Sequence, residues 1–172
     1  MARKTERRLS HLAPGGAARM VDVSPKPVTV REAVASGHIR LSPSALRLVR
    51  SGGLKKGGVV EVARLAGIMA AKRTHEVIPL CHPLPLAHVD VRIAPRRDGF
   101  AIEASVRTEA RTGAEMEALH AVAVAALTLY DMIKAADQRM TIGGIRLERK
   151  TGGRSGSFSR RAAAKGSRRA AR

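Results

Sequence analysis

Between Gly113 and Lys134 the chain reads GAEMEALHAVAVAALTLYDMIK, and Met116, Leu119, Val122, Ala126, Leu129 and Ile133 recur every three or four residues. That spacing is the period of a helix. The stretch has no proline, its only glycine comes first, and its six alanines are strong helix formers. Small side chains along its middle would let another backbone approach closely, which predicts a buried helix lying on a sheet. Polar residues gather at the ends, Glu115 and Glu117 at the start and Asp131 and Lys134 at the finish. Each end has an ordinary explanation: acids in a first turn suit the helix dipole, and Asp and Lys three apart form a common surface pair.

Shorter patterns surround this helix. Leu9 to Val30 is interrupted by Pro14, Gly15, Gly16, Pro25 and Pro27, predicting an irregular arm with a short extended piece at Arg19–Val23. An arm of this kind often lies across a neighbour. Thr29–Leu41 mixes branched with small residues and predicts a strand. Ser42 suits an N-cap with Pro43 at N1, ahead of Ala45, Leu46, Leu48 and Val49, and Gly52-Gly53 stop that helix. Leu54–Gly58, LKKGG, reads as a turn. Val59–Arg73 opens with the strand-like VVEV, yet Val59, Val62, Ala63, Ala66, Met69 and Ala70 share one helical face. The segment is also too long for an ordinary strand. Thr74–Pro85 is expected to be compact and irregular because of Pro79, Pro83 and Pro85. Alternation then predicts strands at Leu86–Ala94 and Phe100–Arg107, joined by Arg96-Arg97-Asp98-Gly99, a hairpin signal. A last strand covers Met140–Lys150, with a bulge at Gly143-Gly144. The order is strand, two helices, hairpin, helix, strand. It predicts an α+β, ferredoxin-like fold with a doubled first helix: an antiparallel sheet with helices packed on one face. No internal repeat interrupts it.

Composition adds bounds. The 172 residues suit one domain with a real core, and the single cysteine, Cys81, excludes an internal disulfide and fits a reducing compartment. With no uninterrupted apolar run near the ~20 residues a membrane span needs, and no apolar segment behind the basic start, the expectation is a soluble cytoplasmic protein with no membrane partner. The net charge of +18 suggests nucleic acid until it is located. Residues 149–172 hold nine Lys/Arg and no acids, residues 1–10 hold four against one acid, and residues 11–148 carry only +6. The expected division is a basic extension at 1–10, a single catalytic α+β domain at 11–156, and a disordered basic tail at 157–172. The tail suits weak polyanion contact through counterion release. Thr151–Gly156, TGGRSG, resembles a phosphate-cradling loop but lacks the P-loop spacing, and its composition favours a flexible linker.

Four words stand in one order: MVDVS (Met20–Ser24), AAKRTHEVIPLCHPLPL (Ala70–Leu86), TGAEMEAL (Thr112–Leu119) and ALTLYDMIKA (Ala126–Ala135). Together they resemble the cyclic pyranopterin monophosphate synthases, the protein C family of molybdenum cofactor biosynthesis, from about Leu9 to Phe158. The resemblance implies the same fold. It also implies a lyase that converts (8S)-3′,8-cyclo-7,8-dihydroguanosine 5′-triphosphate to cyclic pyranopterin monophosphate and releases diphosphate. Such chemistry needs cations to hold departing phosphate charge, proton donors and acceptors, and a pocket that fixes one conformation.

By the motif match Asp131 is the catalytic residue, orienting Lys134 or acting on the substrate itself. Lys134 beside other cations would have its pKa lowered and serve as a base. Lys56 would be a proton donor or phosphate clamp, and Lys72 and Arg73 suit phosphate oxygens. Without the motif, each of these is an ordinary solvated charge. The match also makes Leu80, Cys81, His82, Met116 and Glu117 substrate contacts. Glu115 and Glu117 suit the guanidine-like edge of the pyrimidine ring. Adjacent Cys81-His82 chelates poorly, one cysteine does not make a structural zinc site, and no metal residue is assigned, His75 and His88 included. Whether a divalent ion such as Mg2+ assists stays open. His120 reads equally well as packed core.

Two rival readings exist. A basic RNA-binding module would exploit a ferredoxin-like sheet, but Phe100, Phe158 and Tyr130 are the only aromatics and most of the charge lies in the tips. A purely structural oligomer would leave Asp131 and Lys134 only their mutual pairing. Finally, Glu117 and Asp131 are 14 residues apart in one helix, about 21 Å at ~1.5 Å per residue. One pocket using both would draw them from two subunits, in line with the hexamer, a trimer of dimers, that the resemblance implies.

Overall fold

The computed structural model describes residues 11–13, 15–51, 58–153 and 156–160. Strand β1 (Thr29–Arg40) leads into α1 (Pro43–Arg50), α2 (Val59–Lys72) and the short α3 (Thr74–Val77). The hairpin β2 (Leu86–Arg96) and β3 (Gly99–Ala110) follows, then α4 (Glu115–Ile133), β4 (Thr141–Thr151) and the two-residue β5 (Phe158–Ser159). All pairings are antiparallel and the strand order is β2-β3-β1-β4-β5. Placing β1 between β3 and β4 is the split β-α-β arrangement expected from the element order. Helices lie against one face of the sheet.

Local chemistry sets most boundaries. The Ser42 side chain accepts from the Ala45 amide and Pro43 opens α1, as the cap signature predicts. The pairing of β1 with β4 slips between Ser36 and His38, opposite Gly143 and Arg146, so the glycine pair does mark a bulge. Thr74–Val77 departs from the expected irregular segment: it forms a single helical turn, with the Ile78 amide bonded to the Thr74 carbonyl before Pro79 ends it. Ordered chain also reaches beyond the predicted start of the tail at 157, because Phe158 and Ser159 pair with Lys150 and Arg149.

The core explains the small residues of α4. Gly37 of β1 faces Val122, where a Cβ would come within 2.7 Å of Val122 Cγ1. Gly67 of α2 faces the other flank of α4, where a Cβ would meet the Ala121 carbonyl oxygen at 2.9 Å and Ala125 Cβ at 3.3 Å. The helix is therefore gripped by the sheet on one side and α2 on the other. Its buried arc is wider than the single stripe read from the sequence and takes in Glu117, Ala118, Ala121, Val122, Ala125, Ala126, Leu129 and Ile133. Met116, expected on the inward stripe, is instead 37% exposed. On α2 the packing uses Val59, Ala63, Gly67, Ala70 and Ala71, so Val62 and Met69 face outward with Leu65, contrary to the face read from sequence. By length and composition α4 also passes as a membrane span, but its contacts are those of a core helix.

Candidate functional site at the two ends of the long helix

At its N-terminal end, α4 brings together residues from distant parts of the chain. Glu117 sits in the first turn, 3% exposed, and its Oε2 has no hydrogen-bond partner among the described residues. Burial pushes its carboxyl up to about 7, and the Glu115 carboxylate adds to the rise. A buried acid neutral below that pH can donate a proton and, once ionised, accept one. Cys81 lies close enough to feel both carboxylates: burial raises its thiol first, then Glu117 and Glu115. It is therefore a neutral thiol, unsuited to nucleophilic attack. Glu115 pairs with Lys150 at 2.8 Å. The His82 ring nitrogen Nε2 meets the Val21 carbonyl oxygen at 2.9 Å, so Nε2 carries the proton and donates. The N-terminal arm thus lies across its own chain at the His82 loop. Leu80 is half-buried beside Cys81, and the exposed Met116 flanks Glu117.

The α2 helix runs antiparallel to α4, since Gly67 meets Ala121 and Ala125 while Thr74 meets His120. This carries Lys72 and Arg73 toward the Glu117 end. Both are exposed, and neither makes an ion pair among the described residues. His120 is a structural tie here: its Nδ1 is 3.2 Å from Thr74 Oγ1, itself 3.1 Å from the Ala70 and Ala71 carbonyls. The hydroxyl donates to the end of α2 and accepts from the imidazole, which joins α2 to α4.

Asp131 and Lys134 occupy the opposite end of α4. Their side chains meet at 2.6 Å, and Lys134 also lines a recess with Tyr130, Ala135 and Gln138. The hydrogen bond that Lys134 donates to Asp131, and the Asp131 charge, raise the Lys134 pKa. This corrects the lowered pKa expected of a base: within the chain Lys134 stands beside an acid, so it is held as a cation and hydrogen-bond donor. Because α4 is unbroken from Glu115 to Ile133, Glu117 and Asp131 stand about 21 Å apart along it. Lys56 lies outside the described residues.

A cavity of about 610 Å³ opens at the Glu115 end. Four cations line it, Lys26, Arg31, Arg111 and Lys150, none singled out by the sequence reading. One signal was available. Arg31 shares its strand parity with Ala33, Ala35 and Ile39, all core residues, so a charge stood on a buried face. The Gly152–Gly153 segment, expected as linker, forms a wall of this cavity. Among the described residues no group of three or more His, Cys, Asp or Glu could hold a metal ion.

Comparison with known proteins bears on the same segments. Residues 20–153 match the model of the MoaC family. The chain is 56% identical over 154 residues to the cyclic pyranopterin monophosphate synthase of Parvibaculum lavamentivorans, covering 88% of this chain and 96% of that protein. The proteins of the same name from Chloroflexus aggregans and Thermomicrobium roseum are 58% and 60% identical over 154 residues, each covering 88% of this chain and 93% of the relative.

Proposed function

The chain belongs to the MoaC family, and from that membership we propose that it is a cyclic pyranopterin monophosphate synthase acting early in molybdenum cofactor biosynthesis. Its substrate in this reading is (8S)-3′,8-cyclo-7,8-dihydroguanosine 5′-triphosphate. It acts as a lyase, closing the cyclic phosphate and releasing diphosphate, in the cytoplasm. The observation that carries the proposal is the end of α4, where the motif residues Glu115, Glu117 and Cys81 converge beside a cation-lined cavity. A neutral buried acid and a set of fixed cations are what ring rearrangement and phosphate departure require. Incubation of the purified chain with that triphosphate should yield diphosphate and the pyranopterin product by chromatography. No product from folded protein overturns the assignment.

In this reading Glu115, Met116, Glu117, Leu80, Cys81 and His82 hold the purine-derived ring, and Lys72 and Arg73 hold phosphate oxygens. Asp131 and Lys134, with Lys56, carry the chemical step, Asp131 anchoring the Lys134 ammonium against the departing charge. Asp131→Asn and Lys134→Ala are each expected to abolish turnover while leaving circular dichroism and assembly unchanged. Near-normal turnover removes that residue from the catalytic set.

The two ends of α4 serve one pocket only if different subunits supply them. We therefore assign the pocket to a subunit interface in a homohexamer, a trimer of dimers. The exposed apolar column Val62, Leu65 and Met69 on α2 supports association, since such a column is costly to leave in water.

A further inference from the structure

We infer that Asp137 is the positioning residue for Lys134. Its carboxylate latches the corner after α4 to the backbone amide of Ser42 at the start of α1. Lys134 is the C-cap residue of α4, its amide bonded to the Tyr130 carbonyl at 2.8 Å, and the chain must turn soon afterwards to enter β4 at Thr141. Ile133 and Met140 are held in the core on either side of that turn. Between them Lys134 to Arg139 are exposed, except Asp137, which is half-buried. A helix end with so little burial frays unless something ties it down.

Asp137 supplies the tie. Its Oδ2 accepts from the Ser42 N–H at 2.7 Å, across 95 residues of sequence, and its Oδ1 accepts from the Arg139 N–H at 2.9 Å. The Ser42 amide first, and the Arg139 amide second, hold the carboxyl below the ordinary aspartate range. Among the described residues, the contact with Ser42 is the one hydrogen bond that carries the corner beyond itself and α4. Ser42 is in turn well fixed: it caps α1, and Leu41 before it donates to the Asp98 carbonyl at the β2–β3 turn. A carboxylate at the start of α1 also suits the positive end of that helix. On the near side, the Tyr130 hydroxyl donates to the Gln138 carbonyl at 3.2 Å and folds the corner back over the last turn of α4.

The consequence falls on Lys134. Its ammonium meets Asp131 at 2.6 Å and lines the recess formed with Tyr130, Ala135 and Gln138. Ala135 and Gln138 belong to the corner, so the shape of the recess and the direction of the ammonium depend on where the corner stands. The side chains of Asp131 and Lys134 are both more than half exposed, so burial does not hold the pair in place; the latch does. The part of Lys134 in the chemical step rests on the function proposed above, whereas the latch rests on the contact between Asp137 and Ser42.

The bond can be cut from either side. Asp137→Ala removes the acceptor. Ser42→Pro removes the donor without changing charge, and the Ser42 φ of −63° and ψ of 152° already suit proline. Ser42→Ala keeps the N–H, loses only the hydroxyl, and serves as the control. Competitive acetylation of the full chain at pH 8, read by mass spectrometry against Lys72 as the internal reference, reports on the Lys134 amine without turnover. Asp137→Ala and Ser42→Pro should each raise Lys134 labelling by about 2-fold or more, because a loosened corner weakens the pair that keeps the amine protonated. In turnover of the cyclised triphosphate both should lower kcat by about 10-fold or more with KM within about 3-fold, as misplacing a reacting group does. Asp137→Asn keeps one acceptor oxygen and should recover part of the loss. Combining Asp137→Ala with Ser42→Pro should add little to either alone, since both cut the same bond. Should one of the two not fold, the other decides. Lys134 labelling that is unchanged in the folded variant, or raised equally in Ser42→Ala, overturns the latch. Faster labelling with kcat unchanged leaves the latch standing and sinks the assignment of the chemical step to Lys134.

Discussion

Glu117 has the most perturbed environment of the motif residues, and its consequence for stability has a definite sign. Its folded pKa of about 7 lies above the ordinary glutamate value of 4.5. Between those two values the unfolded chain loses the proton while the folded chain keeps it, so stability falls as pH rises through this window. Glu117→Gln removes the effect. We expect the variant and wild type to be similar in stability near pH 4.5, with the variant more stable by up to about 3 kcal/mol at pH 8. Urea denaturation across that range measures it, and parallel pH profiles would show that Glu117 is not held neutral. Cys81 responds to the same charge. Its thiol is raised by burial and by the two glutamates, so iodoacetamide should modify native protein at pH 8 more slowly than the unfolded chain. Glu117→Gln should accelerate that modification several-fold; an unchanged rate would separate the thiol from Glu117.

At the scale of elements, the closest approach lies between α2 and α4. Gly67→Ala would ordinarily favour a helix interior by about 1 kcal/mol. Here the added methyl meets the Ala121 carbonyl at 2.9 Å as well as Ala125 and Val91, and backbone cannot swing aside as a flexible side chain does. The strain should win, lowering stability by about 1–3 kcal/mol, and Gly67→Val should cost more. An increase in melting temperature for Gly67→Ala would mean the helices can separate without loss. The sequence already pointed to this contact through the alanine run of α4, where small side chains admit a neighbouring backbone. Which element approached was not legible. The glycine and the alanine run lie more than 50 residues apart, and only the turn back of the chain after Arg73 lays α2 along α4.

At the scale of the whole molecule, α4 acts as a spacer with a candidate half-site at each end. If the active pocket combines Glu117 of one subunit with Asp131 and Lys134 of another, chains defective at opposite ends should rescue each other. Asp131→Asn and Glu117→Ala proteins, each inactive alone, are expected to recover part of the activity after mixing under conditions that exchange subunits. Some interfaces then receive two intact halves. Absence of recovery despite proven exchange would place the pocket within one chain and rule out the shared site.

The sequence by itself determined the elements and the family. Period-two and period-3.6 patterns, the Ser42-Pro43 cap and the Asp98-Gly99 turn are local, and local geometry follows from near neighbours in the chain. The four motif words likewise named both ends of α4 as places for chemistry. Their relation was left to the tertiary structure. Met116 faces outward and Glu117 inward because α4 is gripped from two sides, a width of burial that a single helical stripe does not express. Glu115 finds Lys150 35 residues away only through the pairing of β4 with β1. Arg31 becomes a buried cation, without an ion pair among the described residues, only once Gly152 and Gly153 close over it. Charges act through space, and which charges share a cavity depends on how distant segments are brought together, which local patterns do not encode.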